Sequence, residues 1–181
     1  MRYLLTAEQM KAGEDRVIQE IGIPSLVLME RAALKFVETM IERGIDCSST
    51  LIVCGAGNNG GDGFAIARLL FLKGYQVKPV FAGKDESRTS ETKLQMQILE
   101  RWGVTINSEI PDEGDTCSAV VDALFGIGLT RDIEGRYADI IKQINKYRAV
   151  KIAVDIPSGV NASDGQLMGT AFEADLTITF G

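Results

Sequence analysis

Hydrophobic positions along the chain follow two different rules. The first forty-odd residues carry a helical period: Thr6 with Gln9 three positions on reads as a capping box, Leu5 and Met10 stand as the staple beside it, and Gly22 is the stop. Pro24-Ser25 opens a second helix with Met29, Ala33, Phe36, Val37, Met40 and Ile41 on one face, closed by Gly44. Beyond it the pattern changes to short, continuous apolar runs at 50–54, 77–82, 104–106, 119–123, 151–155 and 176–180, with helical segments expected at 64–73, 90–102 and 137–147. Uninterrupted apolar strands alternating with helices predict a parallel sheet covered on both faces. With right-handed crossovers this is an α/β chain with a three-layer, doubly wound parallel sheet.

The 181 residues fit one domain, 1–181, with no repeat and no linker-like stretch. Gly181 directly follows a predicted strand, so either the chain is truncated or that strand lies at an edge. A formal charge of −6 without a Lys/Arg run argues against nucleic acid as a partner. No apolar run reaches the ~18–20 residues of a membrane span, and the N-terminus turns polar too early for a secretory signal. A cytoplasmic location is the expectation. The absence of histidine removes His-based triads, His-ligated zinc and imidazole bases. The three cysteines form no C-x-x-C, and Cys54 sits in an apolar run as a small buried hydrophobe. Chemistry here must come from carboxylates, amides, hydroxyls, backbone N–H groups or a bound ion.

In doubly wound sheets ligands bind beyond the carboxyl ends of the strands, so the residues after each strand matter most. The first is followed by Gly55-Ala56-Gly57-Asn58-Asn59-Gly60-Gly61-Asp62-Gly63. Gly55, Gly57 and Gly60 satisfy G-x-G-x-x-G, a weak signal alone. The acid that would bind a ribose at the end of the second strand is missing, since Ala82-Gly83-Lys84 stand there. Two amides and an acid in such a turn exceed what a structural loop needs. A second glycine-rich stretch, Asp122-Ala123-Leu124-Phe125-Gly126-Ile127-Gly128-Leu129-Thr130-Arg131-Asp132, begins with a carboxylate on an apolar strand, costly unless paired or coordinating. Arg131 is available to a phosphate. Asp155-Ile156-Pro157-Ser158 again ends a buried strand in a carboxylate. Asn59, Asp122 and Ser158 are expected to converge as oxygen donors, a set suited to a hard cation of low charge. Asp62 and Asp155 remain as candidate acid/base groups, their proton affinity raised by burial.

These three loops, together with Leu28-Met29-Glu30-Arg31-Ala32, resemble in order and spacing the NAD(P)H-hydrate epimerase family, the YjeF N-terminal domain. The resemblance covers nearly the whole chain and implies a Rossmann-like domain, often a homodimer, that interconverts the R and S forms of hydrated NADH and NADPH. By position, it implies substrate contacts from Asn58, Asn59, Gly60, Gly61 and Asp62, from Gly126, Ile127, Gly128, Leu129, Thr130, Arg131 and Asp132, and from Asp155. It implies a potassium ion (K+) on Asn59, Asp122 and Ser158. Family domains run on past the last predicted strand and are often fused to a dehydratase, a functional partner for this chain. The expected catalytic groups are Asp155 first and Asp62 second. Two rivals stand beside this reading. One is a dehydrogenase using NAD as cofactor, disfavoured by the missing acid and the Asn-Asn insert. The other is a catalytically silent binding or scaffold module, like similar domains in mRNA-decapping enhancers; such a module has no use for Asp62, Asp122 and Asp155 at buried strand ends.

Overall fold

A computed structural model describes residues 6–111 and 117–180. Helix α1 (Ala7–Arg16) begins at the expected capping box: Thr6 Oγ1 accepts from the Gln9 N–H, and the Gln9 side chain accepts from the Thr6 N–H. It continues as a π-helical turn, Val17–Ile21, and stops at Gly22 in the left-handed region. No residue of this arm is buried. The staple residue Leu5 lies outside the described residues.

Helix α2 (Ser25–Glu42) buries Met29, Ala33, Phe36, Val37 and Met40. Ile41, expected with them, is 40% exposed. At 3.6 residues per turn it falls roughly 90° from the centre of the buried stripe, at the stripe's edge.

Five parallel strands, β1 (Ser49–Cys54), β2 (Gln76–Phe81), β3 (Ala119–Ala123), β4 (Val150–Val154) and β5 (Leu176–Ile178), form one sheet in the order β2-β1-β3-β4-β5. Alternation along each strand divides the core. Ile52, Cys54, Val121, Ile152 and Val154 face α2, α3 (Asn58–Leu72) and α4 (Ser90–Arg101). Leu51, Val53, Val120 and Ala153 face α5 (Gly135–Asn145) and Phe172. This is the three-layer, doubly wound arrangement. The chain leaves β1 toward one face and β3 toward the other, which opens a crevice at the carboxyl ends of these two strands.

Three expectations need correction. Residues 104–106 form no strand; a single parallel bridge joins Val80 to Asn107, because the apolar run is too short to extend the sheet edge. The last two strands end at Val154 and Ile178, earlier than expected, and Asp155 turns out of the sheet with φ 67°. Helix α3 starts at Asn58 rather than at residue 64, so Asn58–Asp62 are the helix's first turns and not a loop. Glycine is a poor helix former, but here close packing selects it. A Cβ on Gly60 would lie 1.9 Å from the Gly55 carbonyl oxygen, and one on Gly55 2.1 Å from that of Leu124.

Candidate active site

Three chain segments meet at the crevice. The first is the start of α3. Gly57 caps it without a side-chain hydrogen bond, and the Gly60 and Gly61 N–H groups donate back to the Gly57 carbonyl, which leaves the positive end of the helix at the exposed Asn58 and half-buried Asn59. Asn58 is exposed, Asn59 half-buried, and Gly60 and Gly61 buried. Neighbouring helices hold this turn: Thr92 Oγ1 of α4 donates to the Gly57 carbonyl at 2.8 Å, and a Cβ on Gly61 would meet Met29 of α2 at 2.7 Å.

Asp122 dominates the second segment. Its side chain is wholly buried on β3 between Val53 and Ala153. Ser158 Oγ donates to Oδ1 at 2.7 Å, the Ser158 N–H to Oδ2 at 2.8 Å, and the Leu124 N–H to Oδ1 at 3.1 Å. Burial pushes its pKa up to about 6 against the opposing pull of these hydrogen bonds. Ser158 Oγ in turn accepts from the Phe125 N–H at 3.0 Å. Next along the chain, a Cβ at Gly126 would lie 3.3 Å from the Asn59 carboxamide. Asn59, Asp122 and Ser158 are therefore brought to one place.

Their fit to a cation rests on a further observation. Asn59 Nδ2 is buried without an acceptor. Turned over, the same amide puts Oδ1 in that position, which adds an amide oxygen to the nearby carboxylate and hydroxyl. A single formal negative charge matches a monovalent ion. No group of three or more Asp, Glu or Cys side chains suited to a metal of higher charge occurs among the described residues.

Asp155 and Asp62 make up the third segment. The Asp155 N–H donates to the Ile178 carbonyl at 2.9 Å, and the Ile127 N–H donates to its carboxylate. Burial raises the Asp155 pKa, with the Ile127 hydrogen bond opposing. The Asp62 carboxyl is pushed well above the usual range by burial first, then by the charges of Asp155 and Glu14. The two expected acid/base groups thus face each other electrostatically. Glu14, on α1, joins them: partial loss of water around its exposed carboxyl, then the charges of Asp15 and Asp155, raise its pKa. Sequence reasoning missed it, since an acid in an amphipathic helix over a hundred positions from Asp155 carries no signal of proximity.

The loop after β3 contributes unevenly. Gly126, Ile127 and Leu129 are half-buried, while Gly128, Thr130, Arg131 and Asp132 are exposed. Arg131 makes no ion pair among the described residues and remains available to an anionic ligand.

A doubly wound domain with an anion-receptive helix start, an oxygen-donor cluster and a protonatable aspartate pair belongs to the class that binds phosphorylated ligands at a topological switch point. The profile of the family described as YjeF-related protein N-terminus matches residues 25–181, and the chain belongs to that family. It is similar to the NAD(P)H-hydrate epimerase of Limosilactobacillus fermentum, 43% identical over 97% of this chain and 84% of that protein. The NAD(P)H-hydrate epimerase of Weissella koreensis is 40% identical over 97% of this chain and 79% of its own length. The crystal structure of yeast YNL200c superposes with a TM-score of 0.81 at 22% identity, over 97% of this chain and 79% of that one, a likeness of fold.

Proposed function

We propose that the protein is an isomerase that epimerises hydrated NADH and NADPH at the hydroxyl-bearing carbon beside the ring nitrogen. The observation that carries this reading is the pairing of Asp62 and Asp155, both with raised proton affinity, next to a helix start suited to the dinucleotide phosphates. The kinship with NAD(P)H-hydrate epimerases supports it.

Inversion at such a carbon needs no redox change, only reversible loss and return of the hydroxyl, or ring opening and reclosure. Either route needs a group that moves a proton and a negative field for the cationic species. Asp155 transfers the proton. Asp62, which feels Asp155's charge in addition to its own burial, holds its proton more tightly and acts beside it as the neutral acid. The substrate lies on Asn58, Asn59, Gly60, Gly61 and Asp62, and the Gly126–Asp132 loop closes on it, with Arg131 at a phosphate. Asn59, Asp122 and Ser158 would hold a potassium ion, which would supply fixed positive charge near the phosphate end. Asp122 keeps Ser158 and the Phe125–Gly126 backbone in place for it. Neither rival reading has a use for these features: a hydride-transferring enzyme does not need the acid pair, and a silent scaffold does not need buried carboxylates.

The enzyme acts in the cytosol, and a dehydratase that consumes one epimer is its functional partner, because epimerisation alone does not restore the nucleotide. A homodimer forms through the exposed edge of α2, where Leu34 and Ile41 lie. A monomer mass by sedimentation at high micromolar concentration refutes that contact. No helix among the described residues is long and apolar enough to cross a membrane.

The central test separates the R and S forms of NADH hydrate and follows their re-equilibration with the purified protein. Interconversion well above the spontaneous rate is expected. A rate equal to background with a folded protein refutes the reading.

A further inference from the structure

One buried polar side chain outside the crevice reaches the residue that caps α3. Thr92 of α4 is 0% exposed, and its hydroxyl donates to the Gly57 carbonyl at 2.8 Å. A carbonyl can only accept, so this bond uses the single proton of the Thr92 hydroxyl. Thr89, the N-cap of α4, therefore donates its own hydroxyl to Thr92 Oγ1 at 2.9 Å, and its oxygen accepts from the Thr92 N–H at 3.2 Å. The relay runs one way, from Thr89 through Thr92 to Gly57. Beside it, the Thr89 N–H donates to the Ala56 carbonyl at 3.0 Å. Ser25 Oγ of α2 donates to Glu91 Oε1 at 2.6 Å, so the start of α4 is itself held.

Packing alone does not call for this relay. The Gly57 carbonyl already accepts from the Gly60 and Gly61 N–H groups at 2.9 and 3.3 Å, which is enough to start the helix. Farther along α4, Met96 and Leu99 join the apolar core without such bonds. What the third bond adds is a fixed tilt of the 57–58 peptide. In a planar trans peptide the N–H points opposite to the C=O. A Gly57 carbonyl held by Thr92 thus aims the Asn58 N–H away from α4, at an exposed position on the positive end of α3. The Ala56 carbonyl, held by Thr89, fixes the Gly57 N–H in the same manner.

We propose that Thr92 is a positioning residue for the reaction: its hydroxyl orients the Asn58 N–H, and with it the start of α3, toward the diphosphate of the dinucleotide. The inference rests on the proposed reading that the substrate lies on Asn58–Asp62. A diphosphate is remote from the reacting carbon and is held alike in the ground and transition states. Such uniform binding sets KM and leaves kcat alone.

Two measurements test this on folded protein: steady-state epimerisation of hydrated NADH, and calorimetric titration with ADP-ribose, which carries the diphosphate but not the reacting ring. Thr92→Val keeps the shape and removes the hydroxyl. It is expected to raise KM, and the Kd for ADP-ribose, by about tenfold, the scale of one charge-assisted hydrogen bond, with kcat changed by less than about twofold. Thr92→Ala, which removes the hydroxyl without crowding the Gly57 carbonyl, is expected to show the same shift. Thr92→Ser, which restores the donor, is expected to return both constants close to those of the wild type. Four results each overturn the proposal: KM and Kd unchanged in a folded variant without the hydroxyl, a fall in kcat with KM and Kd unchanged, a Thr92→Ser protein as impaired as Thr92→Val, or a wild type that does not bind ADP-ribose. Failure of the proposed function reads differently: the wild type then does not epimerise hydrated NADH, while the ADP-ribose titrations still decide the role of Thr92.

Discussion

Neighbouring strands β3 and β4 both deliver an aspartate to the same crevice, yet the two carboxylates live in opposite circumstances. Asp122 is wholly buried, stays within the strand, and accepts three hydrogen bonds from Ser158 and Leu124. Asp155 has left its strand with φ 67°, is half-buried, and receives one backbone N–H, from Ile127. A carboxylate whose lone pairs are occupied by fixed donors is a poor proton carrier and a good anchor. One with free lone pairs, turned toward solvent-accessible space beside a second acid, can take and return a proton. Under the proposed function the same residue type at equivalent strand ends serves two purposes, and the hydrogen-bond count tells them apart.

The largest effect should come from Asp155→Asn. Asparagine tolerates positive φ at least as well as aspartate, so the backbone turn survives. The amide cannot accept a proton, and turnover of hydrated NADH is expected to fall by ~10²–10⁴, the usual range for a general acid/base. Binding of a dinucleotide product analogue should persist, because the start of α3 is untouched. Near-normal turnover moves the proton-transfer role to Asp62; equal loss of binding and turnover makes Asp155 a positioning residue.

Asp122→Asn attacks the other side of the contrast, and its cost should appear in stability. The new NH₂ group faces donors: either Oδ1, served by Ser158 Oγ and Leu124, or Oδ2, served by the Ser158 N–H, is lost as an acceptor. A penalty of about 1–3 kcal/mol is expected in denaturant unfolding without added potassium. In the wild type, potassium at ~100 times its Kd should add about 2.7 kcal/mol, an increment the variant loses. Equal melting temperatures in potassium and in a bulky organic cation would remove the ion from the site.

Which parts of this were legible beforehand follows from the range of the interactions involved. Continuous apolar runs announce buried parallel strands, and the acids that end them announce a crevice, because both signals are local. Residues 104–106 have the composition of a strand but not the length, and the sheet edge takes only one bridge from them. The first turns of α3 defeat local propensity: glycines and asparagines read as a loop until Gly55 and Leu124 are seen pressed against Gly60 and Gly55. Pattern also put Asp122 and Asp155 at strand ends and gave them different expected roles, an ion's oxygen donor and an acid/base group, but not the contacts that set the two carboxylates apart. What separates them is donors from Ser158, thirty-six positions away from Asp122, and a charge contact with Glu14 on an arm whose sequence predicts only a helix.

Asp62 provides the finest test, since its coupling is to Asp155. Burial and the charges of Asp155 and Glu14 raise its folded-state pKa well above that of the unfolded chain. A raised carboxyl contributes stability that is fully present below the unfolded pKa, near 3.9, and is lost as pH climbs through the folded value. Above that window the ionised group is a liability. Asp62→Asn, neutral at every pH, should therefore stabilise the protein at pH 7.5 by about 1 kcal/mol, as substitutions at functional acids commonly do, and the gain should shrink toward zero as pH approaches 4. If Asp155 supplies the repulsion, the gain should be smaller when Asp155 is already asparagine, and the two substitutions should be non-additive in a double-mutant cycle. Additive effects would mean that burial alone sets the Asp62 proton affinity and that the two acids act independently. Paired with Asp122→Asn instead, which shares no hydrogen-bond partner with Asp62, the same cycle should close to within about 0.5 kcal/mol.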